Sequence, residues 1–157
     1  FQRAITKFLK KLKKRGAKIV TTEDESTETI VFCPIVSRFE TDIQSAISST
    51  SKKREVILVA MHHTYDPNYT LPDRRSYDRN SVKLLVECLF FEKKGLYKCP
   101  RNSKAKKSVY KQVITHLKLH MSMRTERKIN LISYFLLCIV PKCSCYILVA
   151  CCWFVDM

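Results

Sequence analysis

A chain of 157 residues sets a single domain as the default and is long enough to bury an ordinary core. Its 29 Lys and Arg against 14 Asp and Glu leave a net charge of +15, which favours polyanions or anionic lipid surfaces as partners without naming a fold. Two glycines in the whole chain, with no GxGxxG or Walker pattern, exclude the usual dinucleotide and P-loop sites.

The basic residues are clustered. Phe1 to Lys18 carries eight of them and no acid. Within it Ile5, Phe8, Leu9 and Leu12 form one apolar stripe, with Lys on the remaining faces and Gly16 as a stop signal, which predicts an amphipathic helix. Such a helix either covers a sheet face or lies on a membrane or nucleic-acid surface. Ala17 to Thr22 reads as a short strand and Glu23 to Glu28 as an acidic loop. The chain opens at Phe1 without an initiator Met, so it reads as a fragment or processed chain lacking its first strand.

Ile30 to Cys33 is apolar without alternation, the pattern of a strand covered on both faces. Pro34 has no N–H to donate, so regular pairing is expected to fail there and the chain to leave the sheet. Thr41 is a good N-cap, Asp42 suits the positive end of a helix dipole, and Ile43, Ala46 and Ile47 recur at helical spacing. A polar turn follows, then the second continuous apolar strand, Val56 to Met61. Two such strands around a helix-length segment indicate a βαβ crossover and a parallel pair.

Thr64 to Ser81 is longer than an ordinary connection and reads as a lid, a binding element or a disordered segment. Val82 to Phe91 is a third strand, with Lys83 and Glu87 interrupting it as expected nearer an edge. Lys93-Lys94-Gly95 turns the chain. Leu96 to Lys107 reads as a basic loop, and Lys93 to Lys111 holds eight further basic residues and no acid. Ser108 to His120 predicts a final helix with Val109, Val113, Ile114 and Leu117 inward. The fold class expected is therefore α/β, a small open three-layer sheet that is mostly parallel and flavodoxin- or Rossmann-like.

Residues 121–157 read as a separate basic linker and hydrophobic, Cys-rich tail. Leu131 to Val155 is long enough to cross a bilayer, with Arg124, Arg127 and Lys128 on its cytoplasmic flank. Lys142 near its middle would cost roughly 2.5 to 3.5 kcal/mol on insertion. The alternatives to an anchor are an aggregation-prone extension or an aberrant end of the coding sequence. Of the eight cysteines, Cys33 and Cys88 lie in apolar runs, which suits buried thiols in a reducing compartment. Cys143, Cys145, Cys151 and Cys152 would be palmitoylation targets if the tail met a membrane.

In open α/β sheets ligands settle beyond the carboxyl ends of the strands. That rule gathers Ser37, Arg38, Thr41, Asp42 and His63 into a candidate ligand-binding cleft. Arg38 would pair an anion held at the helix N-terminus; the plainer reading is a capped turn with a solvated arginine. Of His62 and His63 only one can face a given cleft, since neighbours on a strand point to opposite sides. A structural role for either stands beside acid/base work. Cys33 is no nucleophile in an apolar strand, and His116 with His120 shares a helix face but lacks further zinc ligands. No catalytic residue, metal set or cofactor is indicated.

The runs Phe32-Cys-Pro-Ile-Val-Ser-Arg38 with Thr41-Asp42-Ile43, Val59-Ala-Met-His-His-Thr64 with Asp66-Pro67, Glu87-Cys-Leu-Phe90 and Gly95-Leu-Tyr-Lys-Cys99 resemble a family of small uncharacterised fish proteins. The resemblance covers roughly Ile5 to Val113 and implies a compact α/β domain without naming an activity. The family pattern has Gly where Glu40 stands, and it does not extend past about His120.

Taken together, the expectation is a small cytoplasmic binding or interaction module, its partner an anionic small ligand or a protein. Nucleic acid is disfavoured because no reading module accompanies the basic clusters. The alternatives are a nucleotide- or nucleoside-processing enzyme using the strand-end cleft, and a tail-anchored adaptor that meets the membrane through residues 131–155.

Overall fold

The structure, a computed structural model, describes residues 1–14, 17–20, 28–50, 55–72, 80–124, 133–142 and 145–154. Its elements in chain order are α1 (Gln2–Lys13), β1 (Ala17–Val20), β2 (Glu28–Ile35), α2 (Phe39–Ser48), β3 (Val56–His63), β4 (Val82–Phe91), β5 (Gly95–Leu96), α3 (Pro100–Arg124), β6 (Ser133–Lys142) and β7 (Cys145–Phe154). Among the described residues the strands form one sheet in the order β1-β6-β7-β2-β3-β4-β5. The fold is α/β, and its centre is the parallel trio β2, β3 and β4.

The continuous apolar runs become the central strands because both of their faces are covered. Ile30, Phe32, Ile57, Val59, Met61, Val86 and Cys88 point to one side, where they pack with Ile5, Phe8, Leu9 and Leu12 of α1 and Ala105, Val109 and Val113 of α3. Val31, Cys33, Leu58 and Ala60 point to the other, against Phe39, Ile43, Ala46 and Ile47 of α2. Helices on both faces make three layers. Phe8 meets Phe32 edge-on with ring centroids 5.4 Å apart, a favoured aromatic geometry. The α1 stripe is thus spent on the core and is not a lipid-facing surface, while the helix keeps its lysines outward.

Several local expectations are corrected. Pro34 does not end β2: pairing with β3 continues through Pro34↔Met61 and Ile35↔His62. The ladder of β2 with β7 stops at Phe32, so the missing N–H of Pro34 falls where that neighbour no longer pairs. The N-cap of α2 is Arg38, in extended conformation at φ −119° and ψ 138°, and Thr41 lies inside the first turn. Glu28 begins β2 rather than ending a loop. It is buried, and its Oε1 accepts from Lys83 Nζ at 2.6 Å.

The basic stretch expected as a loop from Leu96 to Lys107 is mostly helix, because α3 begins at Pro100. Proline is well suited to a first helical turn, where its absent N–H would have no partner anyway. The helix was hard to see because its inward residues here, Ala105 and Asn102, are small or polar. Gly95 takes φ +68° after the Lys93-Lys94 turn, and Lys94 N donates to Phe91 O at 3.1 Å. That left-handed backbone favours glycine.

The apolar tail is not a single span. Ser133–Lys142 and Cys145–Phe154 form two antiparallel strands inserted between β1 and β2. The physical reason is composition: the segment is rich in Ile, Val, Tyr, Phe and Trp, which favour strands, and Pro141-Lys142 breaks it near its middle. Among the described residues no helix is long and apolar enough to cross a membrane.

Candidate functional site

The parallel register of β2 and β3 delivers Ile35 and His62 side by side at the sheet's carboxyl-end rim, as the strand-end rule requires. From Ile35 the chain turns through Val36 and Ser37 into α2. This turn is closed by one carboxylate. Asp42 Oδ2 accepts from Val36 N at 2.8 Å and Ser37 N at 2.9 Å, and Oδ1 accepts from the Ser37 hydroxyl at 2.8 Å. Partial burial pushes the Asp42 pKa up, but the hydrogen bonds from Ser37 and Val36 outweigh it and hold the carboxyl below its ordinary value.

Of the residues expected in the cleft, the structure therefore brings Ser37 and Asp42 together, and for a local reason. Arg38 and Thr41 are exposed on the first turn of α2, and Arg38 makes no side-chain capping bond. Glu40 and Asp42 both lie in that turn, so the positive end of the helix already faces two carboxylates. An incoming anion would meet them as well as Arg38.

His63 is not with this group. It follows Met61 onto the α1/α3 side and lies among aromatic rings, 5.4 Å from Phe90, 5.5 Å from Phe91 and 5.9 Å from Tyr65 between centroids. Its neighbour His62 takes the α2 side. There its ring stacks on Phe39 with planes 1° apart and centroids 6.2 Å apart, and Nε2 lies 2.8 Å from Glu87 Oε2. Strand alternation separates the pair as anticipated, and it sends the other histidine toward α2.

Cys33 is buried, and its thiol donates to Asp42 O at 3.4 Å, which makes it part of the packing of α2 on β2. Burial pushes the Cys88 thiol up to about 12, away from any nucleophilic role near neutral pH. Among the described residues no three His, Cys, Asp or Glu side chains cluster so as to hold a metal ion. The His116 and His120 side chains lie outside the described residues.

Three features escaped the sequence reading. Asn102, completely buried, donates from Nδ2 to Leu89 O at 2.8 Å and Tyr97 O at 3.0 Å and accepts from Leu89 N at 2.8 Å. The Tyr97 hydroxyl lies 2.9 Å from both Thr64 O and Tyr65 O, pinning the start of the long loop, whose Leu71 packs on Leu89, Tyr97 and Cys99. An open groove of about 570 Å³ runs between β4 and the first turns of α3. The signal for the first two was an Asn and a Tyr amid a lysine-rich stretch, which pattern reading takes for loop.

No protein-family model matches this chain, and neither does any curated protein or any solved structure.

Proposed function

We propose that the protein is a small cytoplasmic interaction module built on a Rossmann-like scaffold, with no reaction of its own. The observation that carries this reading is the state of the strand-end rim. The carboxylate that could serve as base there, Asp42, accepts hydrogen bonds from Val36 and Ser37 of its own turn. The histidine on the same side, His62, is stacked on Phe39 and bonded to Glu87. The described groove lies elsewhere, beside β4 and lined partly by Arg101 and Lys104. Polar groups used in this way orient and stabilise a surface better than they turn over a substrate.

The competing reading, a nucleotide- or nucleoside-processing enzyme, depends on Arg38 holding an anion at the start of α2. Thermal-shift measurements with a panel of nucleotides and nucleosides, on the wild type and on Arg38→Ala, separate the two. The interaction-module reading expects unchanged melting temperatures for both proteins. A nucleotide-dependent rise in the wild type that Arg38→Ala abolishes would overturn it.

A further inference from the structure

Described residues cover the outer edge of β4 only in part. Among the described residues β5 pairs with it at Phe90 and Phe91 alone. Thr64 N donates to Phe90 O at 3.0 Å, so the backbone of Phe90 faces β3 and that of Leu89 faces outward. There the Asn102 amide bonds both Leu89 N and Leu89 O, each at 2.8 Å, and Leu89 O also accepts from Tyr97 N at 3.2 Å. One side chain thus imitates one residue of an adjoining strand. In a strand alternate residues present their N–H and C=O to the same side, so the amide and carbonyl of Leu85 also turn outward. They open into the groove, whose far wall is Pro100, Arg101, Lys104, Ala105 and Ser108 of α3.

That wall is basic. Arg101 and Lys104 are exposed and one helical turn apart, and no acidic residue occurs anywhere from Lys93 to Lys111. On the sheet's other face Glu87 stands at the same groove, bonded to His62.

We infer that this groove receives an extended acidic peptide of a protein partner, which adds to β4 as the next strand. The inference rests on the interaction-module reading and names its partner chemistry. Main-chain bonds to the β4 edge supply affinity, and the alternating side chains supply selectivity. One set of the peptide's side chains faces α3, where carboxylates meet Arg101 and Lys104. The other set faces the side of the sheet where Glu87 is already bonded to His62 and offers no cation of its own to a carboxylate. The preferred sequence therefore carries Asp or Glu at every second position, with apolar or neutral residues between. Asn102 sets the end of the groove, because its amide already occupies the Leu89 position.

The test is fluorescence anisotropy with a short labelled peptide of alternating Glu and Val. Beside it run the same peptide N-methylated at alternate amides, a peptide with Lys for Glu, and a single-stranded RNA of matched charge. Arg101→Glu/Lys104→Glu is the protein variant; both residues are exposed, and a thermal melt checks that the fold is kept. Saturable binding of the Glu peptide is expected, weakened roughly tenfold or more by N-methylation and by charge reversal, with amide shifts centred on Leu85 by NMR. The proposal is overturned by no binding of the Glu peptide, by equal binding of the N-methylated peptide, by equal or tighter binding of the RNA, or by a concentration-dependent dimer that occupies the β4 edge. A null peptide result with no nucleotide-dependent thermal shift sinks this proposal alone. A nucleotide-dependent shift lost in Arg38→Ala sinks the underlying reading.

Discussion

Glu87 stands opposite Ala60 in the β3–β4 register, yet its carboxylate reaches diagonally to Nε2 of His62, the residue paired with Leu89, at 2.8 Å. Diagonal neighbours on one sheet face are within reach of long side chains. The pair fastens β4 to β3 on the α2 side, where Phe39 covers the imidazole. A double-mutant cycle with His62→Ala and Glu87→Ala should give a coupling energy of about 0.5 to 3 kcal/mol by chemical denaturation. Additive single-variant effects would show that the two residues act independently.

Asn102 should be among the costliest substitutions in the protein. Asn102→Ala removes the partner of Leu89 N and Tyr97 O and leaves Leu89 O with Tyr97 N alone, in a place fully closed to water. A lost buried bond costs about 1 to 3 kcal/mol, so a total of about 2 to 4 kcal/mol is expected from urea unfolding. Asn102→Asp should be at least as harmful, since it sets an acceptor against two carbonyls. A loss below about 1 kcal/mol for both variants would mean that the helix start is not fastened through this amide.

The central architecture was legible because it depends on runs of side chains. Ile30 to Cys33 and Val56 to Met61 have no polar residue to send to solvent, so a doubly covered parallel pair is close to the only arrangement that suits them. What was not legible depends on single polar groups and on backbone geometry. Nothing in the spacing of Asn102 says that it will copy a strand residue. The start of α3 was missed because its inward residues before Val109 are Asn102 and Ala105, one polar and one small, set among lysines. The site was half legible: the turn from Ser37 to Asp42 was located, but its closure upon itself requires three-dimensional reach, and the histidine on its side is the one that strand parity alone could have chosen.

Cys88 should be inert in the native protein. It is buried beneath α3, and burial is the main reason its pKa rises to about 12, with the Lys106 charge opposing it. Labelling with N-ethylmaleimide at neutral pH, read site by site by mass spectrometry, should leave Cys88 unmodified while the protein is folded and modify it fully in denaturant. Rapid labelling of Cys88 under native conditions would show that α3 opens from the sheet.

Gly95→Ala should destabilise through two effects that add. The backbone stays at φ +68°, and an added Cβ would come 3.3 Å from Arg3 Cγ. The left-handed conformation alone costs a non-glycine residue about 1 to 2 kcal/mol. The Arg3 contact involves a flexible side chain and adds little. Thermal melts of Gly95→Ala, alone and with Arg3→Ala, should show a loss of that size that the second substitution hardly repairs. Full recovery in the double variant would place the cost in the contact instead of the backbone.

The Ser37–Asp42 closure gives a pH dependence whose direction can be worked out. Burial raises the Asp42 pKa and the bonds from Ser37 and Val36 together lower it by more, so the folded value lies below the ordinary one. A carboxylate of this kind adds stability that is present above its unfolded pKa and is lost as the pH falls through its folded pKa. Asp42→Asn retains an acceptor but not the charge. At neutral pH it should be less stable than the wild type by about 1 kcal/mol, a figure already reduced for solvent screening at this half-exposed position. The difference should narrow as the pH drops below about 4 and vanish once the wild-type carboxyl is protonated. Urea titrations of both proteins across the acid range provide the measurement. A gap that stays constant throughout would mean that the carboxylate's charge contributes nothing to holding the turn.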